Sequence, residues 1–177
     1  MKRFIFIGPP GSGKGTYAEL IEEQLGIKHI STGELLREAV ASESEVGRKA
    51  KEYMESGRLV PDDIMNIIVD ELLPENNFIL DGYPRTLPQA EFLDMITDID
   101  LVFYFDVPDE VIFDRLLKRK RKDDTRETIE KRLREYEILT VPLLDYYEGK
   151  LIELDSDRKI EEVVNDVIEI ITLEEKL

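Results

Sequence analysis

The chain has 177 residues, enough for one domain with a substantial core, and carries 40 acidic against 24 basic residues, a formal net charge of −16. That balance argues against nucleic acid or an anionic membrane as a general partner, and no stretch approaches the ~18 apolar residues of a membrane span, so a cytoplasmic protein is the expectation. With no cysteine, disulfides and Cys-ligated zinc are excluded, and the single histidine, His29, sits in a short apolar stretch that reads as core or surface rather than as a metal site.

In chain order, the apolar run 4–7 reads as a strand and leads into Gly8-Pro9-Pro10-Gly11-Ser12-Gly13-Lys14-Gly15-Thr16, ahead of a helical pattern over 14–25. Glycines at 8, 11, 13 and 15 let the backbone N–H groups turn inward, the helix adds its positive end, and Lys14 can reach the β- and γ-phosphates of a nucleotide. The pattern GxxxxGK[ST] is met except at Gly15, which stands where Ser or Thr follows the lysine, with Thr16 one place late. A second strand is predicted at 28–30. Helices follow at 33–41, with Thr32 able to cap, at 46–56, ended by Gly57, and at 62–73, behind Pro61. The helical stretch 31–60 lies between the second and third strands and reads as an insertion that could move as a unit.

The third strand, 78–80, runs into Asp81-Gly82-Tyr83-Pro84-Arg85-Thr86. Beyond it come a helix at 87–96, a strand at 101–107, helices at 109–119 and 126–147, a strand at 151–154 and an amphipathic helix at 159–173. Short apolar runs alternating with helices predict an α/β fold, a five-stranded parallel sheet flanked by helices on both faces. Ligands in such sheets bind at the carboxyl ends of the strands, which suits Asp81 to hold hydrated Mg²⁺ and Arg85 to fork onto a phosphate. From Arg115 the chain reads Arg-Leu-Leu-Lys-Arg-Lys-Arg-Lys-Asp-Asp, with Arg132 and Arg134 on the next helix. Such cations are what a transferring phosphoryl group requires.

These segments together resemble the adenylate kinases of the P-loop nucleoside monophosphate kinase family, over residues 2–155. The likeness rests on the variant phosphate loop with glycine between lysine and threonine, on Ser31-Thr32-Gly33-Glu34-Leu35-Leu36-Arg37, on Gly57-Arg58-Leu59-Val60-Pro61, and on the segment from Asp81 to Gln89. The resemblance implies a single kinase domain over 1–177 that moves a phosphoryl group reversibly from ATP to AMP with Mg²⁺, the stretch 31–60 forming a mobile AMP-binding insertion. It implies that Gly11, Ser12, Gly13, Lys14, Gly15 and Thr16 bind the ATP phosphates, that Arg115 stacks on the donor adenine, and that Asp81 holds Mg²⁺ through water. Arg37 and Arg85 would hold the acceptor phosphate, and Thr32, Met54, Val60 and Gln89 would line the acceptor adenine pocket, with Arg58 and Gly82 in the same walls. Lys14, Arg85, Arg119, Arg121 and Arg132 would form the catalytic set around the transferring group. No catalytic base is needed, because phosphoryl transfer depends on alignment and neutralisation of charge.

Thr32, Thr86 and Gln89 favour AMP over UMP or CMP, whose kinases tend to carry Ala and Asn at these positions; a glutamine amide offers both a donor and an acceptor to a purine edge. One departure from the family is severe: only Lys120 separates the arginines at 119 and 121, between which relatives insert a lid, so 119–122 is a vestige of one. A more open donor site is expected, with weaker ATP affinity and some leakage to hydrolysis. A UMP/CMP-type kinase and a non-catalytic adenine-nucleotide binder are the alternatives. A GTP-dependent switch is disfavoured by the absence of an Asn-Lys-x-Asp segment. A monomer is expected, because the two-substrate cleft would be self-contained.

Overall fold

Alternation along β1 (Arg3–Ile7) decides how the sheet is covered: Phe4 and Phe6 pack into one core cluster, Ile5 and Ile7 into another on the opposite face. The computed structural model describes residues 2–119 and 124–174. Four further strands, β2 (Lys28–Ser31), β3 (Phe78–Asp81), β4 (Leu101–Asp106) and β5 (Leu151–Asp155), complete a sheet of order β2-β3-β1-β4-β5 in which every pairing is parallel. Hence β1 and β3 are neighbours, and Phe6 pairs with Asp81, so the loop after β1 and the acid ending β3 emerge side by side at one edge.

One face of the sheet is covered by α1 (Lys14–Leu25) and the last helix, Ile160–Glu174. Tyr17, Ile21, Val163 and Val167 meet Phe4, Phe6, Ile79, Phe103 and Phe105 there, with Phe6 edge-on to Phe103 and Phe105. The other face is covered by α2 (Thr32–Ala41), α3 (Glu45–Ser56), α4 (Asp62–Leu72) and α5 (Leu87–Ile96) around Leu80, Tyr83, Leu93 and Val102. A third small cluster joins α6 (Asp109–Arg119) to α7 (Arg126–Glu135) through Ile112, Leu116 and Ile129. The predicted elements and this architecture agree, with helices on both faces.

Three details differ from the sequence expectations. Ser31, not Thr32, caps α2, accepting from the Glu34 N–H at 3.4 Å; Thr32 is inside the helix, 1 % exposed, and donates to the Asp81 carbonyl. The strand predicted to 107 ends at Asp106. The helix predicted over 126–147 is interrupted: α7 passes into a π-helical turn, Tyr136–Thr140, and then α8 (Pro142–Tyr146). Pro142 has no N–H to continue the α ladder, and Val141 N–H bonds back to Tyr136, one residue farther than an α-helix allows. The extra residue turns Thr140 towards the sheet edge, where its hydroxyl donates to the Arg85 carbonyl at 2.8 Å. With α9 (Ile160–Glu174) closing the chain, no helix among the described residues is long and apolar enough to cross a membrane.

Candidate active site

A cleft of about 650 Å³ opens at the edge where β1 and β3 end. Its floor is the loop between β1 and α1. Gly13 has φ +102°, a left-handed conformation, and a Cβ there would lie 2.6 Å from the Tyr17 ring; only glycine allows the loop to lie flat on that buried ring. Lys14 folds back over the loop, its Nζ donating to the Gly8 and Pro9 carbonyls at 2.7 and 2.9 Å and to Ser12 Oγ at 3.1 Å. Ser12 itself is fully buried beneath the lysine, whereas Gly11, Gly13, Gly15 and Thr16 line the cleft.

Burial is the main cause that lowers the Lys14 pKa to about 8; Arg85 and Arg119 push the same way and Asp81 opposes them. The free ammonium therefore lies near its titration point at pH 8, and an arriving phosphate returns it to full charge. Binding of a nucleoside triphosphate at pH 8 is expected to take up about half a proton, falling to about a tenth at pH 7, because the bound state holds its proton more tightly than the free one. Calorimetry in two buffers of different ionisation enthalpy reads this directly, and Lys14→Met removes the uptake. Equal heats in both buffers at pH 8 would mean that Lys14 is already fully charged.

Beside the lysine stands Asp81. Burial opposes its charge, but His29, Lys14 and Arg85 outweigh that and hold the carboxyl below its ordinary range. The His29 Nε2 approaches Asp81 Oδ2 at 3.5 Å, both side chains being largely enclosed, and at that distance the contact is electrostatic rather than a hydrogen bond. Burial lowers the His29 pKa, yet Asp81 more than compensates and raises it. So the histidine read from sequence as core or surface abuts the acid of the site. A Cβ on Gly15 would start 3.4 Å from Asp81 Oδ2, so glycine keeps the space before the carboxylate open. One carboxylate facing an open space suits Mg²⁺, which keeps several waters and borrows other ligands from phosphates. No cluster of three His, Asp or Glu that could cage a metal occurs among the described residues.

Arginines line the remaining walls. Arg85 is fastened at three points: its N–H donates to Gln89 Oε1 at 2.7 Å, its carbonyl accepts from Thr140, and its Nε donates to the Gly82 carbonyl at 2.8 Å. Burial first, then Arg132, disfavour its charge, with Asp81 opposing; a guanidinium held in this way favours an incoming anion. Gly82 has φ +83°, and a Cβ there would meet Thr32 Oγ1 at 2.9 Å and Arg85 Nη2 at 3.0 Å, so glycine lets these two side chains close over it. Arg37 lines the cleft from α2, near Glu34 at 3.9 Å.

On the opposite wall, Arg119 and Arg132 share one acid, Asp124, to which sequence reading assigned no role. The Asp124 side chain is 1 % exposed; its two oxygens accept from Arg119 Nε and Nη2 at 2.9 and 2.8 Å, and Oδ1 also accepts from Arg132 Nη1 at 2.9 Å. Arg115 donates to the Ser12 and Ser156 carbonyls at 3.4 and 2.9 Å, bridging the phosphate loop to the end of β5. Arg121, also expected here, lies outside the described residues.

Met54 and Val60 line the far end of the cleft with Thr32 and Gln89. Arg58 lines it too, but its guanidinium is taken up along α3, donating to Ser56 Oγ at 3.0 Å and Glu52 Oε1 at 3.1 Å above the Tyr53 ring. Glu135, at the end of α7, was missed in the sequence; its Oε2 accepts from the Leu59 N–H at 3.2 Å and ties this wall to the body. Nothing in the spacing of α7 marks that residue, since its partner is a backbone group 76 positions away.

The family model described as adenylate kinase matches residues 6–152. Over 170 aligned residues the chain is 44% identical to an adenylate kinase of Nocardia farcinica, covering 91% of this chain and 94% of that protein. It is 43% identical over 178 residues to adenylate kinase 1 of a Nostoc species (94% and 97% covered), and 39% identical over 209 to the Thermosipho africanus adenylate kinase (94% and 98% covered). In that last alignment 94% of 177 residues span 209 positions, leaving about 40 positions of the relative with no counterpart here.

Proposed function

From the premise that the chain belongs to the adenylate kinase family, we propose that it transfers the terminal phosphoryl group of ATP reversibly to AMP, giving two ADP, with Mg²⁺ carried by the nucleotide. The observation that carries this reading is the meeting, in one cleft, of the phosphate loop with Lys14, the acid Asp81 and four arginines from separate elements, Arg37, Arg85, Arg119 and Arg132. Lys14 and the loop amides hold the donor phosphates, while Arg115 packs on the donor base. Arg37 and Arg85 hold the acceptor phosphate, and Thr32, Met54, Val60 and Gln89 enclose its base with the backbone of Arg58 and Gly82. Asp81 holds Mg²⁺ through water; when bound, the ion neutralises charge on the β- and γ-oxygens. Arg119 and Arg132 lie along the transferring group and offset charge on its equatorial oxygens, a role that the resemblance also gives to Arg121.

The residues 31–60 act as a hinged acceptor-binding unit, which the Leu59 contact with Glu135 holds to the body in this structure. The stretch 119–122 is the remnant of a lid, a reading that rests on the single residue between the arginines at 119 and 121. The enzyme works as a cytoplasmic monomer, consistent with a cleft in which both phosphate-binding walls come from one chain.

The test is ADP formation from Mg·ATP with AMP, CMP, UMP and GMP as competing acceptors and an acceptor-free control. AMP is expected to exceed CMP and UMP in kcat/KM by at least about tenfold, since the polar wall at Gln89 and Thr32 is left unpaired by pyrimidines. A slow acceptor-free hydrolysis is expected from the reduced lid. Preference for UMP or CMP would transfer the chain to the pyrimidine branch of the family, and binding without turnover would make it a sensor.

A further inference from the structure

The acceptor-base wall holds a polar network whose second member does not itself line the cleft. Gln89 is 2 % exposed, and both ends of its carboxamide are engaged: Oε1 accepts from the Arg85 N–H at 2.7 Å, and Nε2 donates to Asp62 Oδ1 at 2.7 Å. Asp62 lies behind it in the first turn of α4, and the same Oδ1 accepts from the Thr86 hydroxyl at 3.0 Å. These partners fix which end of the amide is which. A backbone N–H can only donate and a carboxylate only accept, so a flipped amide would set Oε1 against the carboxylate and N–H against N–H. One Nε2 hydrogen and one Oε1 lone pair remain unused, on a side chain that lines the cleft beside Met54, Val60 and Thr32.

We propose that Asp62 is a specificity-determining positioning residue: by locking the Gln89 carboxamide it selects 6-aminopurine monophosphates and rejects 6-oxopurine ones. The proposal rests on the reading of this wall as the acceptor-base site. A 6-aminopurine presents an N–H donor at position 6 beside an acceptor at N1, matching the fixed acceptor and donor of the locked amide. A 6-oxopurine presents the reverse, an acceptor at O6 beside a donor at N1. To meet it the amide must flip, and Asp62 together with the Arg85 N–H opposes the flip. Selection is therefore built from a repulsive element behind the pocket as well as from an attractive one within it.

AMP and inosine monophosphate differ only in this edge, which makes the pair the sharpest probe. The expected wild-type preference for AMP in kcat/KM is at least about 100-fold, the order of discrimination when buried polar groups are left unpaired. In Asp62→Asn the new amide accepts or donates equally well, so one of the two restraints on Gln89 is lost and only the Arg85 N–H still opposes the turn. The ratio of inosine monophosphate to AMP use is expected to rise by about tenfold or more, through the acceptor KM, with the ATP KM unchanged. Asp62→Ala, which removes the acceptor altogether, should move the ratio in the same direction and serves where the asparagine variant is poorly folded. Affinities of both nucleotides measured by calorimetry give the same ratio without turnover, so loss of catalysis would count against the kinase reading and not against this one. A wild type that takes inosine monophosphate as readily as AMP overturns the proposal without any variant. So does a folded variant that loses both nucleotides in proportion, as a merely structural role would.

Discussion

Replacing Lys14 with methionine is expected to lower kcat for ADP formation by about 1,000-fold, with the AMP KM changed no more than a few-fold. The size follows from where the ammonium stands. It is the cation that the phosphate loop itself supplies, and a preorganised donor aimed at developing charge in a water-poor site contributes about two to three powers of ten when removed. In the free protein its bonds go to the Gly8 and Pro9 carbonyls and to Ser12 Oγ, so the ammonium is stored on the loop until phosphate displaces those contacts. The fold does not depend on that charge. Burial already disfavours the protonated form, and methionine fills the same channel without it, so the unfolding midpoint should remain close to that of wild type. The measurement is a steady-state assay beside thermal unfolding. A variant retaining a tenth of the activity would remove Lys14 from the catalytic set.

Asp124→Asn is expected to cost about 100-fold in kcat, although no substrate atom need touch residue 124. The carboxylate gathers Arg119 from the end of α6 and Arg132 from α7 onto one point, and its three charge-assisted bonds set both guanidinium planes. Asparagine keeps the shape but offers one acceptor oxygen and brings a donor towards two cations. Alignment then fails at two arginines at once, and misplacement by about 1 Å is enough for a loss of this order. Stability should fall by only about 1–2 kcal/mol, because both arginines remain partly exposed and water can take over their solvation. If the activity loss is positional, raising the concentration of AMP or ATP will not restore kcat. Recovery at saturating nucleotide would show instead that the clamp serves ground-state binding.

How far these features could be read before the structure depends on the range over which their causes act. The sheet was legible because parallel strands buried on both faces must be short apolar runs, and Phe4 to Ile7, Phe78 to Leu80 and Val102 to Phe105 are such runs. That the loop after β1 and Asp81 meet at one sheet edge was legible because each directly follows an apolar strand run, a few residues at fixed spacing. The break after Glu135 was only half legible: Pro142 stands in the sequence as a helix breaker, but the π turn also answers to a bond from Thr140 to Arg85, 55 positions away. The burial of Asp124 was hidden for a similar reason, since an acid after a basic run reads as a solvated charge balance until two helices close on it. Thr32 was expected to cap α2 and Ser31 does so instead, because the Asp81 carbonyl claims the threonine hydroxyl. His29 was set aside as bland because it is a lone histidine in a short apolar stretch. Its partner comes from the adjacent strand, where Ser31 pairs with Asp81.

This single chain, with so little between Arg119 and Asp124, is expected to transfer a phosphoryl group between two adenine nucleotides rather than to water. Phosphorus NMR of the full chain with equimolar Mg·ATP and AMP tests it most directly, because all species are counted in one sample. Two ADP are expected for each ATP lost, with approach to the same mixture from ADP alone, arrest by a metal chelator, and inorganic phosphate appearing far more slowly than ADP. Phosphate released as fast as ATP disappears, with AMP untouched, would contradict it.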